Sequence, residues 1–185
     1  TLNLSSGATG IPKNKAEEYL KACLDACAEL EALGYQLYQK QADLATNYAE
    51  AFIAKPDDNP ELIFTRGQNI GGERIKDMVI HQLPSVAKGW NTHGMTQKQV
   101  DAYQMCDGRD ITNSSSEYPY RTEGFYDASN PNQIKCDYVQ DDVSMRYVHR
   151  EPRFYASIGY NGTVWGCTSA TEGGTTYHNY RAQYY

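Results

Sequence analysis

The chain has 185 residues and carries 17 Lys+Arg against 23 Asp+Glu, a formal net charge of -6; this removes the electrostatic drive toward phosphate backbones and sets nucleic acid aside as a partner. No apolar run approaches the ~18 residues of a membrane-spanning helix, and Thr1-Leu2-Asn3-Leu4 followed by Ser-Ser-Gly is not a secretory leader. With Tyr 16 against Phe 4, much of the aromatic surface carries a hydroxyl, which favours a wet, sugar-like or peptide-like contact surface over a greasy pocket.

Asn14 followed three residues later by Glu17 reads as a capping box. Apolar residues then recur at Ala16, Tyr19, Leu20, Cys23, Leu24, Cys27, Leu30 and Leu33, predicting an amphipathic helix closed by Gly34. Cys23 and Cys27 lie on that stripe and are read as small core hydrophobes. Cys106, Cys136 and Cys167 complete a set of five without a CxxC, so neither a zinc ribbon nor a disulfide scaffold is signalled. Tyr35-Gln36-Leu37-Tyr38 is an extended link. Ala42 to Ala54, with Leu44, Tyr48, Ala51 and Phe52 on one stripe, predicts a second helix ending before Pro56. Two helices joined by a short link predict an antiparallel pair that cannot cover its own apolar face and stacks on neighbours, as in tetratricopeptide arrays. The chain is therefore expected to begin inside a larger architecture.

After the turn Asp57-Asp58-Asn59-Pro60, the run Glu61 to Arg66 predicts a short strand. From Gly67 to Tyr185 the chain is rich in Gly, Asn, Ser, Thr and Tyr; only Gln97 to Tyr103 suggests a short helix and Phe154 to Tyr160 a strand. The expected organisation is a helical segment over 1–54 and an irregular, loop-rich segment over 55–185, where long ordered loops tend to carry function.

Catalytic chemistry has no positive sign. No GxSxG joins a strand to a helix, and His81, His93, His149 and His178 lack a nucleophile context, so they read as solvated or packing histidines. There is no HExxH and no EF-hand loop; Asp137, Asp141 and Asp142 read as a solvated acidic loop. Asp141, Asp142, Glu151 and Glu172 are the carboxylates a glycoside hydrolase reading would need, but adjacency in sequence does not supply the roughly 5–9 Å separation that chemistry requires. No catalytic residue, metal or cofactor is assigned.

Two stretches are more specific. Gly89 to Gly108 runs GWNTHGMTQKQVDAYQMCDG, in which Thr96 can cap a short helix and Asp107-Gly108 can close it with a turn. Arg150 to Trp165 runs REPRFYASIGYNGTVW, a turn, a strand and an Asn-Gly hairpin signal. In this order they resemble the SusD/RagB family, with Gly10-Ile11-Pro12, Lys15 to Tyr19, Gly34 to Tyr38 and Asn59 to Phe64 matching upstream. The chain departs from the family pattern at Met95, where Pro is usual. Full-length members of the family are several hundred residues long, so the resemblance implies a central fragment.

The resemblance implies a mainly α fold, a tetratricopeptide-like SusD-like helical scaffold carrying a long irregular half with short strands. It implies a non-enzymatic glycan-binding lipoprotein of the Bacteroidetes outer membrane, facing outward and held by a lipid anchor absent from this chain. The implied partners are an oligosaccharide or polysaccharide and a SusC-like TonB-dependent transporter, in polysaccharide utilization and nutrient uptake. Two rivals stay open, a helical-repeat scaffold binding only proteins and a glycoside hydrolase accessory. The shared motif residues Asp101, Tyr103, Asp107, Gly108, Pro152, Arg153 and Phe154 are read as structural, because motifs common to many substrates cannot encode one. Sugar contacts are expected from aromatics with nearby hydrogen-bonding groups: Trp90 with Asn91 and His93, Tyr118 with Tyr120 and Arg121, and Trp165. For Trp90 and Trp165 a core role competes with the sugar-facing one, more strongly for Trp165.

Overall fold

The computed structural model describes residues 12–65, 79–85, 89–165, 170–172, 175–177 and 180–181. They fall into two compact units, Thr1–Gln39 with Ile53–Thr65, and Lys40–Phe52 with Arg66–Tyr185. Helices carry most of the regular structure and strands very little, giving a mainly α, SusD-like fold.

The first unit holds helix α1, Ala16–Ala32, preceded by a 3-10 turn over Lys13–Lys15. That turn replaces the expected capping box: Asn14 lies inside it, the Lys15 N–H donates to the Pro12 carbonyl at 2.9 Å, and no side chain caps the helix. The C-terminus is as predicted. Gly34 takes φ +89°, its N–H donates to the Glu31 carbonyl at 3.0 Å, and the Tyr35 N–H reaches the Leu30 carbonyl at 3.2 Å, a Schellman closure open to glycine at no steric cost.

The apolar stripe of α1 differs from expectation. Cys23 and Cys27 are exposed, and so are Leu20 and Leu24, so the cysteines are not core residues. A helix buries a stripe only against another element, and this unit supplies none over that face among the described residues. The strand expected from Glu61 is also absent; residues 61–65 form turns and bends, and Arg66 lies outside the described residues. The cause is Asn59, which is buried: its Oδ1 accepts the Glu61 N–H at 2.9 Å and its carbonyl accepts the Leu62 N–H at 3.3 Å. Those N–H groups are spent on a local Asx turn rather than a ladder.

In the second unit, helix α2, Leu44–Ile53, starts two residues later than predicted because Asp43 is its cap, the carboxylate accepting the Thr46 N–H at 2.7 Å. Helix α3, Gln97–Asp101, is capped by the Thr96 hydroxyl as expected, and Asp107-Gly108 forms its turn with Gly108 at φ +79°. The run from Phe154, expected as a strand, is helix α4, Pro152–Ser157. Pro152 follows an extended Glu151, which suits the first helical turn, and the Phe154 N–H then bonds the Glu151 carbonyl at 2.9 Å. Burial follows the helical period, with Phe154 and Ile158 both inside.

The Asn161-Gly162 turn forms, with Gly162 at φ +97°, but it does not make a hairpin: it leads from α4 into β1, Val164–Trp165, whose partner is the later strand Tyr180–Arg181. In chain order β2 is Ala170–Glu172, β3 is Thr175–Tyr177 and β4 is Tyr180–Arg181; β2 and β3 make a second antiparallel pair. The core of this unit gathers Val143, Phe154, Ile158 and Tyr160, with Tyr126, Cys136 and Val148 alongside.

Candidate functional site

Trp90, Asn91 and His93 come together around His81. Residues 79–82 are helical, and the loop that follows is stitched back onto them. The Trp90 N–H donates to the Ile80 carbonyl at 2.8 Å, the Asn91 N–H to the Leu83 carbonyl at 3.0 Å, and the His93 N–H to the His81 carbonyl at 3.0 Å. Asn91 takes φ +46°, a conformation its short polar side chain tolerates. Gly89 makes the return possible: a Cβ there would lie 2.0 Å from the Leu83 carbonyl oxygen. The indole of Trp90 stands edge-on to the His81 imidazole at 4.7 Å and 87°, and His93 stacks on the same imidazole at 4.8 Å and 17°. His81 Nδ1 is held by Thr92 Oγ1 at 2.6 Å. Clamped this way, the indole remains 60% exposed. Trp90 is thus an exposed ring on a fixed base.

Tyr118, Tyr120 and Arg121 form a separate group; no ring contact or hydrogen bond joins it to Trp90 among the described residues. The Ser114 and Ser115 hydroxyls accept the N–H groups of Tyr120 and Tyr118, both at 3.0 Å. The Tyr118 ring leans on His149 at 5.3 Å, and the adjacent Glu117 carboxylate, by its charge and by a hydrogen bond, pushes the Tyr118 phenol up. Arg121 lines a cleft of about 200 Å³ with Ser116, Glu117, Asn132, Met145 and His149. Tyr120 is half-buried, and the Arg150 guanidinium lies 5.7 Å from its ring centre.

Arg150 is 1% exposed. Its guanidinium donates to the carbonyls of Val100 at 2.8 Å, Tyr103 at 2.6 Å, Gln104 at 3.4 Å and Arg146 at 3.2 Å, and burial lowers its pKa. It binds the Val100 carbonyl of α3 and the Tyr103 carbonyl just beyond it, and α3 ends at Asp101, two residues short of the expected Tyr103.

The Tyr155 hydroxyl donates to the Tyr147 carbonyl at 2.7 Å and accepts the Arg150 N–H at 3.0 Å, with Cys136 Sγ at 3.6 Å. Burial drives the Cys136 thiol up, but hydrogen bonds from the His149 side chain and backbone, joined by Tyr155, hold it below the ordinary value. Two of the four carboxylates considered for hydrolysis, Glu151 and Asp141, are tied into structure, and the Glu172 side chain lies outside the described residues. Glu151 accepts the Gln104 N–H at 2.9 Å and pairs with Arg153, while Asp141 accepts the Ala128 N–H at 2.6 Å. Among the described residues no group of three or more His, Cys, Asp or Glu could hold a metal. The backbone of Trp165 pairs with Tyr180 in β1, but its side chain lies outside the described residues, as do His178 and Cys167.

Sequence reasoning passed over His81, His149 and Arg150. The rings of the two histidines support the candidate aromatics, His81 under Trp90 and His149 under Tyr118. Arg150 opens the Arg150 to Trp165 motif, and only the fold shows it buried.

The sequence profile of the SusD family matches residues 41–185, and the chain belongs to this family, SusD/RagB, which is associated with glycan binding at the cell surface. Neither a curated protein nor a solved structure matches the chain.

Proposed function

We propose that the protein captures oligosaccharide or polysaccharide at the outer face of the outer membrane and passes it, uncleaved, to a SusC-like TonB-dependent transporter. In this reading residues 1–54 belong to a tetratricopeptide-like scaffold and 55–185 to the ligand-facing segment, with attachment through a lipid anchor. Trp90, Asn91 and His93 make one contact group; Tyr118 and Arg121 make a second, with Tyr120 supporting it. The observation that carries the reading is Trp90, a large ring left 60% exposed although backbone bonds and His81 fix its position. Orienting a ring in advance lowers the ordering cost of stacking a sugar on it.

One ring covering on the order of 50 Å² contributes ~1 kcal/mol at ~25 cal/mol per Å², whereas a millimolar dissociation constant needs about 4 kcal/mol. Several contacts must therefore act on one chain of sugars. Calorimetric titration of glycans into wild type and Trp90→Ala tests this: affinity falls several-fold while the melting temperature stays within ~2 °C. Unchanged affinity with a large drop in melting temperature would return Trp90 to the core. The appearance of new reducing ends on incubation with a bound glycan would replace capture by hydrolysis.

A further inference from the structure

A third group of residues, which the sequence reading left aside, has the makings of a sugar platform. The Tyr138 ring lies parallel to the Tyr155 ring, centroids 4.6 Å apart at 15°, and its hydroxyl donates to Asp43 Oδ2 at 3.0 Å. Both anchors are rigid. Asp43 Oδ1 is occupied by the Thr46 N–H at the start of α2, and the Tyr155 hydroxyl is held by Tyr147 and Arg150. Tyr138 is fixed at one face and at its tip, yet remains 37% exposed, and it lines a cleft of about 340 Å³. That volume sits at the small end of the ~300–1,000 Å³ of ligand sites. Asp43, Asp137 and Gln140 line the same cleft, and Lys135 pairs with Asp137 at 2.7 Å.

Resting on the glycan-capture reading, we infer that this cleft is a further sugar-binding subsite, in which Tyr138 stacks on a neutral pyranose while Asp137 and Gln140 bond its hydroxyls. Carboxylate oxygens accept strongly from hydroxyls, and the Gln140 amide both donates and accepts. The ligand is neutral because a uronate here would face Asp43 and Asp137 with the Lys135 charge already engaged.

The test is calorimetric titration of the 185-residue chain with maltotetraose, cellotetraose, xylotetraose, mannotetraose and tetragalacturonate, using wild type, Tyr138→Ala, Tyr138→Phe, Gln140→Ala and Trp90→Ala. For the neutral tetrasaccharide that binds, Tyr138→Ala is expected to weaken affinity at least fivefold, Gln140→Ala two- to threefold, and Tyr138→Phe less than twofold because the ring remains. Should Tyr138→Ala fail to fold, the Gln140→Ala titration decides, together with ligand-induced shifts of the Tyr138 ring signals assigned in 13C-tyrosine spectra by comparison with Tyr138→Phe. Binding that depends on Trp90 but changes less than twofold in Gln140→Ala and Tyr138→Ala, with unmoved Tyr138 signals, overturns the subsite and leaves capture standing. Tight tetragalacturonate binding that needs Tyr138 overturns the neutral class. No binding of any of these at millimolar concentration overturns both.

Discussion

The guanidinium carbon of Arg150 lies 4.8 Å from the centre of the Phe154 ring, with both side chains almost wholly buried. This charge is met by an aromatic face and by peptide carbonyls rather than by a bonded carboxylate. The carbonyls come from residues 100–104 and from residue 146, so one side chain fastens the segment carrying α3 to the segment entering α4.

Arg150→Lys is therefore expected to destabilise the protein by about 2–4 kcal/mol, because an ammonium cannot reproduce the planar fork and leaves buried carbonyls unpaired. Urea unfolding of the two proteins measures it. A change within 0.5 kcal/mol, the roughly neutral range of surface substitutions, would mean the guanidinium is not the fastener.

Gly89→Ala places a methyl group on the Leu83 carbonyl, so the loop must shift and carry Trp90 off His81. The expected result is a several-fold loss of glycan affinity, comparable to that of Trp90→Ala, with little change in melting temperature. Tryptophan fluorescence should report the moved indole; an unaltered spectrum and affinity would show that the loop absorbs the methyl.

Asp43 is held below the ordinary aspartate pKa, first by its hydrogen bonds with Thr46 and then, against a small opposing effect of burial, by the Tyr138 hydroxyl. Its ionised form is the one the fold favours, so the stability it adds is complete above the unfolded value near 3.8 and is lost as pH falls through the lower folded value. Asp43→Ala should cost about 1 kcal/mol at pH 7 as a lost cap, and the wild-type advantage should shrink as the pH drops below 4. Melts across pH 2.5–7 decide this, and a difference constant over that range would refute the assignment.

Cys23, Cys27 and Cys106 are exposed, whereas Cys136 is buried with its Sγ 3.6 Å from the Tyr155 hydroxyl. Iodoacetamide followed by peptide mass spectrometry should label Cys23 and Cys27 first and Cys136 last, despite its lowered pKa, because access limits the reaction. Burial and a neighbouring Asp107 raise the Cys106 thiol, placing it between them. Early labelling of Cys136 would show that its enclosure opens readily.

Features set by near neighbours were readable in advance. Gly34 closes α1 and Thr96 caps α3 because each acts within one helical turn. Trp90, Asn91 and His93 were found as a group because they adjoin in sequence. The misreadings share another cause, competition between a local preference and a partner further along. Phe154 to Ile158 has strand-like composition, but Pro152 starts a helix and the core takes its i, i+4 face. Glu61 to Phe64 has it too, until the Asn59 side chain claims the N–H groups. His81 reaches Trp90, and Tyr138 reaches Asp43, only through the folded chain, so no spacing could announce either.

The Tyr155 hydroxyl draws together three groups, at residues 136, 147 and 150, from two stretches of chain, and its ring also underlies Tyr138. Such a junction restricts what can drift at this position. Phenylalanine keeps the plane but deletes every polar tie, histidine is too short to reach them, and serine supplies the oxygen without the plane. The alphabet at residue 155 is in effect a single letter, so a lineage that lost this tyrosine would have to rebuild the surrounding loops rather than repack them.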